Sequence, residues 1–242
     1  MKKLNTLIVM TAAVAFANAG TLEETTVVTG IPTIDVTTEY SSDRVWRGSD
    51  IGQNEAAATV TTDLELPAEI KLALSADYSS AEGTDTISDE ATDLTAVFSK
   101  NVSDYLLSLS YTWYSEGFNQ SGDGSAQEVG LSVSKEVGPV TLSLTQFLAV
   151  EGDNNAYSEL KGKYSNDFNV LPVELDFTAK LGYLAQDAAF THAEALISAD
   201  FAVTEGIIAQ PFVAYSAALG GEFVDAFSGD NFFAGVQFKR SF

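Results

Sequence analysis

At 242 residues and with no cysteine, the chain has the length of one or two soluble domains or of one barrel, and disulfides and lipid-anchored cysteine are excluded. Its 34 acidic residues against 12 basic ones, a net charge of −22, exclude nucleic acid and anionic membrane surfaces as partners. A 45% apolar share, with 11% aromatic, argues for a folded chain in spite of that charge.

Residues 1–19 read as a secretory signal peptide. Lys2 and Lys3 form the charged end, Leu7 to Ala17 the apolar run, and Ala17-Asn18-Ala19 the small-x-small cleavage site. The run is short for a membrane anchor, since a spanning helix needs about 20 apolar residues. Cleavage removes two basic residues and no acid, taking the net charge from −22 to −24. Residues 20–33, with Glu23, Glu24 and Pro32, read as a loose polar lead-in.

From residue 34 the pattern has a period of two, the signature of strands whose side chains alternate between faces. Ile34, Val36, Thr38 and Tyr40 alternate with Asp35, Thr37 and Glu39, and Val60, Leu64 and Leu66 with Thr61, Asp63 and Glu65. Ile70 to Tyr78 and Leu94 to Phe98 follow, then the clearest case, Tyr105, Leu107, Leu109, Tyr111 and Trp113 against Ser108, Ser110 and Thr112. Val129 to Val133, Val140 to Leu144, a weaker 157–164, Val173 to Tyr183, Ala193 to Phe201 and a run to Tyr215 complete the interior of the chain. The last segment places Phe232, Ala234, Val236, Phe238 and Phe242 on one face and Gly235, Gln237 and Lys239 on the other. About twelve segments of roughly ten residues match the span of tilted membrane strands.

Short turns are expected near 67–69, 101–104, 136–139, 165–172 and 203–206, and longer polar loops near 48–55, 79–90, 115–126, 151–156, 186–191 and 216–230. Sorting of loop length by end, with both termini on the short-turn side, points to an all-β, antiparallel transmembrane β-barrel over 34–242. Two aromatic girdles fit the same reading. Trp46, Tyr78, Trp113, Tyr183 and Tyr215 lie near loop-side ends, and Phe98, Tyr105, Tyr164, Phe201 and Phe242 near turn-side ends. Pro211, which removes a ladder donor, predicts a bulge or a strand end.

The closing strand with its terminal Phe242 resembles that of bacterial outer-membrane barrels. The resemblance implies an outer-membrane location, a periplasmic lead-in at 20–33, contact with outer-membrane lipid, and recognition of Phe238 and Phe242 by the barrel-assembly machinery. The stretch Ser42-Asp43-Arg44-Val45-Trp46-Arg47-Gly48-Ser49-Asp50-Ile51-Gly52-Gln53 resembles the motif near the first strand of the TorF porin family. Trp46, Arg47 and Gly48 match that motif. Arg44 stands where the family favours an aromatic, and no proline follows Gln53. The resemblance implies passive transport.

Parity places Asp43 and Arg47 on the inward face with Asp35 and Glu39. Arg47 reads either as part of an ion-pair network fixing the first strand or as a charge at a pore constriction. Further on, the inward face carries ten acids, Asp63, Glu65, Asp77, Asp93, Glu128, Glu159, Glu174, Asp176, Glu194 and Asp200. Five bases accompany them, Lys71, Lys161, Lys163, Lys180 and Lys239. Small inward residues such as Ala73, Ser75, Ser108, Ser110, Gly130, Ser132, Ser143, Gly182 and Ala214 leave room for water. The expectation is an acidic pore for small polar or cationic solutes, with a polar but plugged interior as the other reading of the lining and a non-conducting structural or surface-contact barrel as the alternative function. An outer-membrane hydrolase built on His192, Glu194 and Ser198 is a third reading. One histidine and no cysteine predict no zinc site. Gly152-Asp153-Asn154-Asn155 and Ser121-Gly122-Asp123-Gly124 read as turns rather than calcium loops. No cofactor is expected.

Overall fold

The computed structural model describes residues 32–47, 49–82, 90–115, 126–150, 156–167, 173–185, 187–220 and 230–242. The signal peptide and most of the lead-in lie outside these residues, as do both acidic turns considered for calcium. Twelve strands follow one another: β1 (Thr33–Trp46), β2 (Ser49–Leu66), β3 (Ile70–Glu82), β4 (Glu90–Val102), β5 (Tyr105–Tyr114) and β6 (Ala126–Val137), then β7 (Val140–Ala149), β8 (Ala156–Asp167), β9 (Glu174–Leu184), β10 (Ala189–Thr204), β11 (Ile207–Ala218) and β12 (Asn231–Ser241). Every strand pairs antiparallel with its sequence neighbours, and β1 pairs with β12, so the sheet closes. Closure is what a sheet in hydrocarbon requires, because an open edge would leave N–H and C=O groups without partners. The seam runs to the last residue: the Phe242 N–H donates to the Ile34 carbonyl at 2.9 Å.

The period of two decides which face meets lipid. Leu131, Leu144, Leu160, Ile197, Phe201 and Phe238 are exposed on the outer face, each flanked by residues pointing inward. Tyr78, Tyr105, Tyr215 and Phe242 are likewise exposed aromatics at strand ends. The side chain of Trp46 lies outside the described residues. At the turn side, Ser103-Asp104, Gly138-Pro139 and Glu205-Gly206 make two-residue hairpins. Gly138 (φ 61°) and Gly206 (φ 78°) supply the positive φ such turns favour.

Three expectations are corrected. Residues 48–55 are not a loop: β1 and β2 continue as a ladder to Trp46 opposite Ser49, with Asp43 opposite Gln53. That polar, glycine-containing stretch carries no apolar alternation. The span 186–191 shrinks to a tight turn before β10 begins at Ala189. Pro211 sits in the middle of β11 with neither a bulge nor a strand end. It is opposite Val236 of β12, and on the β10 side the ladder partners resume in the same register at Ser198–Phe212 and Phe201–Ala209. The side chain of Gln210 spans that interval by donating to Asp200.

Candidate functional site: the loop-side end of the lumen

The tip of the β1–β2 hairpin leaves the wall. β1 pairs with β12 only as far as Ser41 opposite Gly235, whereas β12 continues against β11 to Asn231. Two irregularities sit in the β2 arm, each adding one residue to it. The β1–β2 register shifts between Arg44 and Val45, the β2–β3 register shifts between Gln53 and Ala56, and Asn54 has a φ of 51°. Bulges bend a strand and increase its twist, and two of them within a few residues of β2 bend the hairpin.

It is re-aimed inward. The Nη2 of Arg47 donates to both carboxylate oxygens of Glu128, each at 2.7 Å. Its guanidinium lies 4.2 Å from the ring centroid of Tyr157 and 5.1 Å from that of Phe147. Those three residues belong to β6, β8 and β7, which lie across the ring from β1. Only a chord through the lumen joins them, so the face bearing Glu128, Phe147 and Tyr157 is the inner one. A planar guanidinium suits a position that offers a carboxylate and neighbouring aromatic rings. Tyr114 adds a hydrogen bond from its hydroxyl to Glu128 at 3.2 Å.

Apolar side chains pack under the tip. Phe212, Ala214 and Phe233 form a buried cluster against which Val45 and Leu196 pack. Three inward rings lie over glycines directly opposite in register: Phe212 on Gly235, Phe147 on Gly130 and His192 on Gly182. A Cβ at Gly182 would come within 2.6 Å of the imidazole. Gly130 and Gly182 therefore do not leave open space, and the inner face is not polar throughout as the alternation suggests. His192 is 1% exposed and stacks on Tyr157 with ring planes 4° apart. Its Nδ1 is 3.1 Å from the hydroxyl of adjacent Thr191.

The lumen thus changes along its axis. At the loop side, inward Ser41, Ala81, Ala91, Ala126, Glu128, Tyr157, Thr191, His192 and Ser216 are buried. At mid-height Thr37, Thr59, Thr95, Ser108 and Ser132 are half-buried, and at the turn side Asp63, Glu65, Lys71, Thr141 and Glu174 are exposed. The inner surface is packed at the loop side and more exposed toward the turn side, where Asp176 and Gln210 are buried exceptions.

The remaining expected residues fall on this surface. Lys180 pairs with Glu194 at 2.8 Å, and Lys163 with Asp176 at 2.8 Å, where Ser165 also donates to Asp176. Asp77 accepts a hydrogen bond from Thr59 at 2.6 Å and stands opposite Asp93 in register. Glu65 is opposite Lys71. Asp43 is half-buried at the base of the tip and accepts from Ser42 at 2.8 Å. Phe238 and Phe242 face outward. Sequence reasoning missed the inward aromatics, although their parity was legible: Phe147 shares that of Ser143 and Thr145, and Tyr157 that of Glu159. No group of three His, Cys, Asp or Glu among the described residues could hold a metal ion.

No family model matches the chain, and no curated protein matches it. Solved structures do. An outer-membrane channel from Pseudomonas putida F1 superposes with a TM-score of 0.52 at 14% identity, covering 92% of this chain and 98% of that one. The KdgM porin gives 0.52 at 11% identity, over 87% and 99% of the two chains. The translocator domain of the autotransporter NalP from Neisseria meningitidis gives 0.50 at 14% identity, over 100% and 98%. A channel, a porin and a translocator share this architecture, so the likeness is one of fold. The fold is that of a bacterial outer-membrane β-barrel.

Proposed function

We propose that the protein is an outer-membrane porin through which small polar or cationic solutes diffuse passively, and that it is a relative of the TorF porins. The observation that carries this reading is the polar inner surface, half-buried at mid-height and exposed at the turn-side mouth. A barrel that served only as a structural wall has no need of a polar interior that stays accessible. Exposed Asp63, Glu65 and Glu174 at that mouth outnumber exposed Lys71 and Lys163, and acids of one sign in a low-dielectric channel concentrate cations and repel anions. Kinship with the TorF family rests on Trp46-Arg47-Gly48, whose arginine occupies the loop-side closure. Support for a porin over a hydrolase comes from the enclosure of His192 between Tyr157 and Gly182. Insertion into the membrane is assigned to the barrel-assembly machinery acting on the strand that ends in Phe238 and Phe242.

Liposome swelling tests this reading. Vesicles containing the folded protein should swell in small neutral sugars and in cationic amino acids. They should swell more slowly in anions of equal size. Swelling no faster than empty vesicles with every solute would refute passive transport.

A further inference from the structure

We infer that the β1–β2 hairpin tip is a plug folded into the loop-side mouth, and that Arg47 is the residue that holds it shut. The inference rests on the porin reading and names the element that limits flow in it. Three independent features point to it. The tip departs from the wall at Ser41–Ser42, where Ser42 Oγ accepts the Ala234 N–H at 3.2 Å in place of a ladder bond. The β2 arm carries two irregularities near that level, an extra residue at Ile51 against β1 and another at 54–55 against β3, which let the hairpin bend away from the wall. Beyond the bend, the tip makes its described contacts with the far wall and the inner floor, through Arg47 and Val45.

The arrangement is a latch more than a seam. A wall strand is held by a continuous ladder on both sides, whereas β1 has left β12 at this level and Arg47 reaches across the lumen to Glu128. Arg47 at 15% exposure and Glu128 at 3% are shielded from water, so salt screens their attraction little. The aromatic faces of Tyr157 and Phe147 add to it. Losing one partner leaves the other charge buried and alone, which shifts a closed-to-open ratio by on the order of a hundredfold. Withdrawal of the tip would expose Glu128, Tyr157 and His192 at the mouth and join the open lower lumen to the outside.

Planar-bilayer recordings of four proteins test this. They are wild type, Arg47→Ser, the exchange R47E/E128R, and a barrel in which residues 44–52 are replaced by a two-residue turn. The wild type should show small or infrequent openings. Arg47→Ser and the shortened hairpin should raise the open fraction or the unit conductance several-fold. The exchange, which restores opposite charges, should return the channel toward wild type. A mere packing role for Arg47 would not be rescued by the exchange, and failure of that rescue would overturn the latch. If all four conduct equally, the plug is refuted and the porin reading stands. If neither the wild type nor the shortened, folded barrel conducts, the porin reading falls and the plug with it. Heat-modifiable gel mobility confirms in each case that the barrel is closed.

Discussion

Gly235→Val is expected to prevent stable closure of the barrel. An added Cβ at Gly235 would lie 2.4 Å from the Tyr40 carbonyl oxygen and 2.6 Å from Phe212 Cζ. The first of these is backbone in the β1–β12 seam, so it cannot swing aside as a flexible side-chain end does. Relief requires the seam to part and Phe212 to shift within the cluster it forms with Phe233. Overpacking of this kind costs about 1–3 kcal/mol in a core that can adjust, and here the adjusting element is the closure itself. The measurement is the fraction migrating as folded barrel on unboiled gels. Gly162→Ala is the control, because a Cβ there meets only Leu142 Cδ2 at 3.5 Å, an ordinary contact. Equal folded fractions for Gly235→Val and the control would contradict the packing described.

Deletion of Phe242 is expected to reduce assembly far more than it reduces the stability of barrels already formed. Its side chain is 65% exposed and contributes little burial. Its backbone adds two bonds to a seam that runs from Asp35 opposite Ser241 to Ser41 opposite Gly235. Loss of two hydrogen bonds at a rim costs about 1–3 kcal/mol, a modest fraction of a closed ladder. Assembly is different, since the last strand has to be selected and paired before the ring exists. Pulse-labelled insertion into outer membranes should fall severely, while urea unfolding of the small assembled fraction shifts little. Normal insertion of the truncated chain would remove the role assigned to Phe242.

The strands were legible because two solvents read the chain at once. Lipid outside and a polar interior impose alternation on Ile70 to Tyr78 or Tyr105 to Trp113, and the register then follows from the turns. The loop-side closure was half legible. Arg47 has inward parity in the sequence, but its partner Glu128 is 81 residues away and on the opposite wall, a pairing that periodicity does not carry. The tip reads as a loop because Gly48, Ser49, Asp50 and Gly52 lack the apolar face that marks a membrane strand. Likewise Phe212, Phe147 and His192 lie opposite Gly235, Gly130 and Gly182 only once the register is known. Parity gave the face of each ring, not the glycine beneath it. Pro211 misled for a related reason. Its missing donor is tolerated on the β10 side, where Gln210 and Asp200 join through side chains.

The central claim, an acidic and water-filled lumen, is tested most directly by the reversal potential across a potassium chloride gradient. The hairpin-shortened barrel serves alongside the wild type, so that closure does not mask the lower lumen. Charges at the turn-side mouth act over a Debye length of about 8 Å at physiological salt and about 30 Å in dilute salt. Potassium should therefore be preferred over chloride, most in dilute salt, with the preference fading as salt rises. Asp63→Asn with Glu174→Gln should lower it, because both carboxylates are exposed at that mouth. An anion-selective channel, or one whose selectivity ignores both substitutions and ionic strength, would contradict the account.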